Sequence, residues 1–143
     1  MSDWTVERMV ELGDLHARLE AERKLEPLMD TLVAEPVYEF HPAGLTMKGA
    51  APVRRYYEQL LGQFMTWVRG YELLDEWANE RSVAQEYDIQ LQVDDGPLET
   101  HRVLGILLAE PRQELLAGER IYGGERIVRL MLGDLYDELE AAP

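Results

Sequence analysis

The sequence predicts an α+β domain in which helices pack on a curved, mainly antiparallel sheet. Three observations carry this. Apolar residues recur at helical spacing in the first third of the chain, period-two alternation runs through residues 71–122, and turn residues separate the alternating runs.

From Asp3 to about Arg23, Val6, Met9, Leu12, Leu15 and Leu19 follow one another at steps of three and four, so one helix face is apolar, and Ser2 or Asp3 can cap it. A second helical stretch, Leu25 to Val33, begins near Pro27 and must end before Pro36. "VYEFHPAGLTMKG" is strand-like at both ends and turns a corner at His41-Pro42-Ala43-Gly44. In "GAAPVRRYYEQLLGQFM", Val53, Tyr56 or Tyr57, Leu60, Leu61 and Phe64 make a further amphipathic helix.

Four extended stretches follow. Tyr71, Leu73, Asp75 and Trp77 alternate with Glu72, Leu74, Glu76 and Ala78, and Tyr87, Ile89, Leu91 and Val93 alternate with polar neighbours. "DDGP" is a turn signal, and "THRVLGILLAE" and "ELLAGERIY" are two more strands separated by a turn around Pro111. Gly123-Gly124 breaks the last strand, and "ERIVRLMLGDLYDELE" reads as a closing helix, with a strand through Ile127 and Val128 as the other reading. The 143 residues fit one domain spanning 1–143.

Composition excludes several functions. With 28 acidic and 14 basic residues, a net charge of −14 and no basic cluster, the chain repels a phosphate backbone, so nucleic acid is not expected as a partner. Absence of cysteine removes disulfides, thiolate nucleophiles and cysteine-ligated metals. The charged N-terminus has neither a signal-peptide core nor a membrane span, which gives a cytoplasmic expectation with no membrane partner. Histidine spacing does not match a zinc motif, no Gly-rich loop follows a strand as a nucleotide site requires, and no nucleophile elbow is present. No metal or cofactor is expected.

The segment "HARLEAERKLEPLMDTLVAEPVYEFHPAGLTMKGAAPVRRYYEQLL", with "G-x-x-x-V-R-x-Y-Y" inside it and "GERIYGG" near the end, resembles the nuclear transport factor 2-like superfamily, in particular its SnoaL-like branch of polyketide cyclases and relatives of ketosteroid isomerase. The resemblance implies a cone-shaped α+β barrel whose curved sheet wraps an apolar pocket and whose outer face often serves dimerisation. One such scaffold hosts isomerases, cyclases, dehydratases and non-catalytic binders, so the fold does not fix the chemistry. It implies a small hydrophobic ligand and a homodimer.

His41 falls in the slot where the isomerases of the superfamily carry a catalytic aspartate before Pro-x-Gly, so the resemblance makes it the candidate base, and a neutral imidazole suits that role. The plainer reading is a rim histidine bonded to backbone or water. His16 stands roughly where the isomerases place an oxyanion-holding tyrosine, on the helix face shared with Met9, Leu12 and Leu19, and is equally a packed residue with one satisfied nitrogen. In "VLGILLAE" the acid that completes the isomerase oxyanion hole is missing before Glu110, and the cyclases' acid on the last strand is replaced near Gly123-Gly124. Asp75 beside Trp77 is a candidate acid or base if that strand face lines the pocket. His101 is a candidate donor or else an edge residue near the "DDGP" turn, and Tyr38 and Tyr57 can offer hydroxyls to a ligand while burying their rings or else are simply core. Trp77, Met9 and Leu12 are expected to line the same pocket. Two functions follow: a small cofactor-free isomerase, cyclase or dehydratase acting on a hydrophobic polycyclic or terpenoid substrate, with His41 as base and Asp75, His16 or a tyrosine assisting, or a non-catalytic binder of a hydrophobic molecule.

Overall fold

The computed structural model describes residues 3–142, so the alternative helix cap Ser2 lies outside the described residues. Helix α1 spans Val6–Ala21 and is capped by Thr5, whose hydroxyl accepts from the Arg8 N–H at 3.2 Å. The start therefore lies two residues beyond Asp3, because the side chain able to reach an orphan amide is that of Thr5. Helix α2 covers only Leu25–Met29. Residues 32 and 33, expected at its end, instead open strand β1, Leu32–His41.

Strand β2 is Leu45–Lys48, and helix α3, Ala50–Gln59, continues through a π-helical turn, Leu60–Phe64, into a short α4, Met65–Trp67. The meander is β3 (Val68–Ala78), β4 (Ser82–Gln92), β5 (Leu98–Glu110) and β6 (Leu115–Tyr122). The closing segment is two helices, α5 (Glu125–Leu132) and α6 (Leu135–Ala141), because Gly133 between them takes φ 57° and stops the first. Ile127 and Val128 are helical and buried in the core, which rules out the strand reading. No described helix is long and apolar enough to cross a membrane.

The six strands form one curved sheet in the order β2-β1-β6-β5-β4-β3, antiparallel throughout except for the parallel pair β1–β6. The parallel pair joins the N-terminal β1–β2 hairpin to the meander. Its concave face carries the core, in which Tyr38, Phe40, Val83, Leu91, Val103 and Ile121 are buried beneath the helices.

Two bulges re-aim side chains on this face. In β3, Leu73 pairs with Tyr87 but Asp75 pairs with Glu86, so Leu74 and Asp75 together oppose a single residue. The inward set is therefore Tyr71, Leu73 and then Glu76 opposite Gln85, while Asp75 and Trp77 turn outward. In β6, Gly118 pairs with Leu108 and Leu116 with Ala109, so Ala117 is the extra residue and Glu119, opposite Leu107, points inward. Gly118 has φ 152°, and a Cβ there would stand 1.8 Å from the Val37 carbonyl oxygen on β1.

Gly118→Ala is therefore expected to destabilise the protein by at least about 3 kcal/mol, because backbone rather than a flexible side chain blocks the space. Urea unfolding of the two proteins measures this. A loss below about 1 kcal/mol would show that β1 and β6 can separate without penalty.

Candidate acid/base cavity

The concave face and the helices enclose a cavity of about 290 Å³. Its sheet wall is Gln85, Tyr87, Ile89, Gly105, Leu107 and Glu119, and its helical wall is Asp14, His16, Ala17, Glu20 and Ala21 of α1. The π-helical turn adds Leu60 and Phe64, followed by Met65, while β3 contributes Val68, Tyr71, Leu73 and Glu76. Small Ala17 and Ala21 leave room between α1 and β3. No Lys or Arg lines the cavity among the described residues.

Four carboxyl groups line the cavity, Asp14 and Glu76 near its rim and Glu20 and Glu119 in its apolar interior. Glu20 follows His16 by one helical turn, so both project from the same face of α1. Glu119 projects from the sheet between Tyr38 on β1 and Leu107 on β5. Gly105 gives it room, since a Cβ at that position would lie 3.0 Å from Glu119 Oε1. Burial pushes the Glu20 carboxyl up to about 7, even though a third of its side-chain surface is accessible at the cavity wall. Glu119 is driven well above the usual carboxylate range by burial and then by the charge of Glu20, so it holds its proton at neutral pH. Near the exposed rim, Gln85 donates to Glu76 at 2.8 Å, and burial followed by the Glu76 charge raises Asp14.

His16 is buried and holds two hydroxyl partners: Nδ1 lies 2.8 Å from Thr31 Oγ1 and Nε2 lies 2.9 Å from the Tyr57 hydroxyl. Its distance to Glu20 Oε2 is 3.8 Å, too long for a hydrogen bond. Burial lowers its pKa to about 4, so the ring is neutral at physiological pH. Tyr57 and Tyr38 bring their hydroxyls to 2.5 Å of each other behind the cavity wall.

Of the residues expected from sequence, only His16 lines the cavity. His41 does not. Tyr38 and Phe40 face the core, so alternation turns Glu39 and His41 outward, where His41 bonds Glu39 at 3.0 Å and stacks on Tyr122 with ring centroids 5.0 Å apart. Asp75 lies on the outer face because of the β3 bulge, accepting from the Glu76 N–H at 2.8 Å, and Trp77 beside it is half exposed. His101 sits near the end of the sheet, bonded at 2.9 Å to Glu99, which Arg126 and then His101 hold down to about 2. Met9 is core, Leu12 packs against it, and Tyr38 and Tyr57 stand behind the lining. Glu20 and Glu119 were missed, although the Glu20 signal was present as an acid four residues after His16 on an apolar face. Among the described residues no group of three or more His, Asp or Glu is placed to hold a metal ion.

No protein-family model and no curated protein matches the chain. Solved structures do. An NTF2-like protein from Anabaena variabilis superposes with a TM-score of 0.67 over 87% of this chain and 92% of that one, at 17% identity. The chain has the nuclear transport factor 2-like fold. SalBIII, an epoxide hydrolase/cyclase-like enzyme of pyran ring formation in the polyether salinomycin, shares this NTF2-like fold with a TM-score of 0.68, 16% identity and coverage of 84% and 93%. A Catenulispora acidiphila protein with a ketosteroid isomerase-like fold, in complex with trimethylamine, matches with a TM-score of 0.58 and 15% identity over 78% and 84%. The cone-shaped α+β architecture expected from the sequence is thus the observed one.

The cavity acids set a pH signature for stability. Glu20 titrates near 7 when folded and near 4.5 otherwise, so its contribution is fully present below 4.5 and is lost as pH rises through 7. His16 has the opposite sign, its contribution being present above 6.5 and lost as pH falls toward 4. Glu20→Gln should therefore raise stability at pH 8 by about 1–2 kcal/mol, discounting for its accessible surface, and should flatten the gain in stability that the wild type shows as pH falls from 6.5 to 4.5, where the remaining Glu119 and His16 contributions oppose each other. Urea unfolding across this range measures both. Unchanged stability at pH 8 would mean that the carboxyl is solvated.

Proposed function

We propose that this chain is a cofactor-free acid/base enzyme of the isomerase or cyclase kind, acting on an uncharged apolar molecule that carries oxygen. The observation that supports the reading is the pairing of Glu20 and Glu119 in one apolar cavity with different affinities for a proton. Titratable groups whose environments push their pKa values apart mark acid and base roles. Ionised Glu20 takes a proton from a substrate C–H or O–H. In a β,γ-unsaturated ketone the released pair forms a C=C bond as the carbonyl π bond opens and its oxygen takes the proton of Glu119; Glu20 then returns its proton at the γ carbon while the O–H proton goes back to Glu119. In a hydroxy-epoxide the released oxygen pair forms the new C–O bond as an epoxide C–O bond breaks, the leaving oxygen takes the proton of Glu119, and proton exchange with solvent restores both carboxyls.

The cavity walls support an uncharged substrate. Among the described residues they offer carboxyls, Gln85, neutral His16 and apolar or aromatic side chains and no Lys or Arg, so an anionic group would meet like charge without compensation. The likeness to an epoxide hydrolase/cyclase-like enzyme and to an isomerase-like fold agrees in kind with this chemistry.

A β,γ-unsaturated ketone and a hydroxy-epoxide test the two reactions. Turnover of either should fall by about 100-fold or more in Glu20→Gln and in Glu119→Gln, and remain unchanged in His41→Gln and Asp75→Asn. The rate should rise through about pH 7 as Glu20 ionises. Binding of these compounds with no turnover at any pH would leave the cavity a non-catalytic binding site.

A homodimer belongs to the same reading. Trp77, Ala84 and Ile106 stand in register across the outer face of β3, β4 and β5, and Arg120 and Glu39 continue the row on β6 and β1. A second copy related by a two-fold axis would meet apolar with apolar groups and Arg120 with Glu39. Sedimentation at micromolar concentration should give twice the 16.5 kDa chain mass, and Ala84→Arg should give the monomer. A wild-type monomer would overturn the expectation.

A further inference from the structure

The geometry points to a one-way hydrogen-bond relay behind the cavity, from Tyr38 to Tyr57 to His16 to Thr31 to the Leu28 carbonyl, in which Thr31 is the positioning residue that sets every direction. Each direction follows from the one before. Thr31 Oγ1 lies 2.6 Å from the Leu28 carbonyl oxygen, which can only accept, so the threonine hydrogen is committed there. The same Oγ1 lies 2.8 Å from His16 Nδ1 and must therefore accept, which places the ring hydrogen on Nδ1. His16 is buried, with its nearest carboxylate 3.8 Å away, so it carries a single ring hydrogen. Nε2 is then an acceptor, and the Tyr57 hydroxyl at 2.9 Å donates to it. A phenol has one hydrogen. Tyr57 having spent its own on His16, the Tyr38 hydroxyl at 2.5 Å donates to Tyr57.

The relay has a chemical consequence. His16 lines the cavity yet has no uncommitted proton to give and no free nitrogen lone pair to take one, Tyr38 has committed its hydrogen to Tyr57, and Tyr57 has committed its own to the imidazole. The relay therefore supplies no acid to a cavity reaction, which leaves the carboxyls and the Tyr71 and Tyr87 hydroxyls of the lining. This deepens the acid/base reading above and rests on it for that consequence alone, since the hydrogen-bond directions stand without any reaction.

Long-range ¹⁵N–¹H NMR of the uniformly labelled, ligand-free protein at neutral pH reads the tautomer directly. The His41→Gln and His101→Gln variants identify the other two imidazoles. The expected result for His16 is a protonated Nδ1 and an unprotonated Nε2. Thr31→Ser should keep this pattern. Thr31→Val removes the acceptor and should move the hydrogen to Nε2, with Tyr57 becoming the acceptor. An Nε2–H tautomer or a doubly protonated ring in the wild type overturns the relay, and an unchanged tautomer in Thr31→Val overturns the role of Thr31. Should Thr31→Val not fold, Tyr57→Phe decides: Nδ1–H retained, with Nε2 shifted as it loses its donor, supports the relay, whereas a switch to Nε2–H overturns it. Failure of the acid/base function would appear in the Glu20 and Glu119 variants and leave this spectrum unmoved.

Discussion

The close approach of Gly118 to the Val37 carbonyl governs the arrangement on which the cavity depends. Parallel pairing of β1 with β6 is the junction between the N-terminal hairpin and the meander, and it closes the sheet far enough for the helices to cover one face. The extra residue at Ala117 brings Glu119 to the concave side of the same strand that carries buried Leu116 and Ile121. Regular alternation from Leu116 would have put residue 119 outside and left Glu20 with only the rim carboxyls Asp14 and Glu76. A backbone irregularity that only glycine can occupy thus decides a side chain's chemistry.

That chemistry is held against the interest of stability. Two carboxyls in an apolar space disfavour each other's ionised form, and burial raises both. Well-packed apolar residues would serve folding better. The neighbouring polar groups behave otherwise, since His16, Thr31, Tyr38 and Tyr57 satisfy one another within a network that orders the back of the cavity. A rigid, satisfied back wall behind two strained acids is an arrangement that folding alone does not require, and it is the physical ground for locating function here.

Periodicity made the element order readable from the sequence, because α1, the α3 face and the strands of the meander follow their apolar repeats. It failed where the backbone breaks its period. Asp75 shares a face with Tyr71 and Leu73 only in an unbroken strand, and the bulge at Leu74 reverses it. Glu119 was hidden by the same device in β6. The inward course of β1 beyond Leu32 was obscured by Pro36, which sits where the pairing with β6 is irregular and the missing N–H leaves no ladder bond unmade. Glu20 is hidden for a different reason: an acid among the apolar positions of α1 has no periodic signal that separates a cavity carboxyl from a solvated one, and only its place one turn after His16 marks it.

The three histidines show how partner chemistry divides one residue type into different roles. His41 and His101 each sit beside a carboxylate at 3.0 and 2.9 Å, in strand positions that solvent reaches, and Glu39 and Glu99 each also meet an arginine. Such ion-pair networks order the surface of a sheet and contribute little else. His16 has hydroxyls in place of carboxylates, and the one acid within reach stands beyond hydrogen-bond distance. A carboxylate at bonding distance would hold the imidazole charged and quench the acid, leaving neither free to act. Kept apart, the neutral ring orders the tyrosines behind the wall while Glu20 stays exposed to the cavity with its proton affinity raised. The spacing between His16 and Glu20, more than the identity of either, is what leaves this carboxyl unpaired with the imidazole.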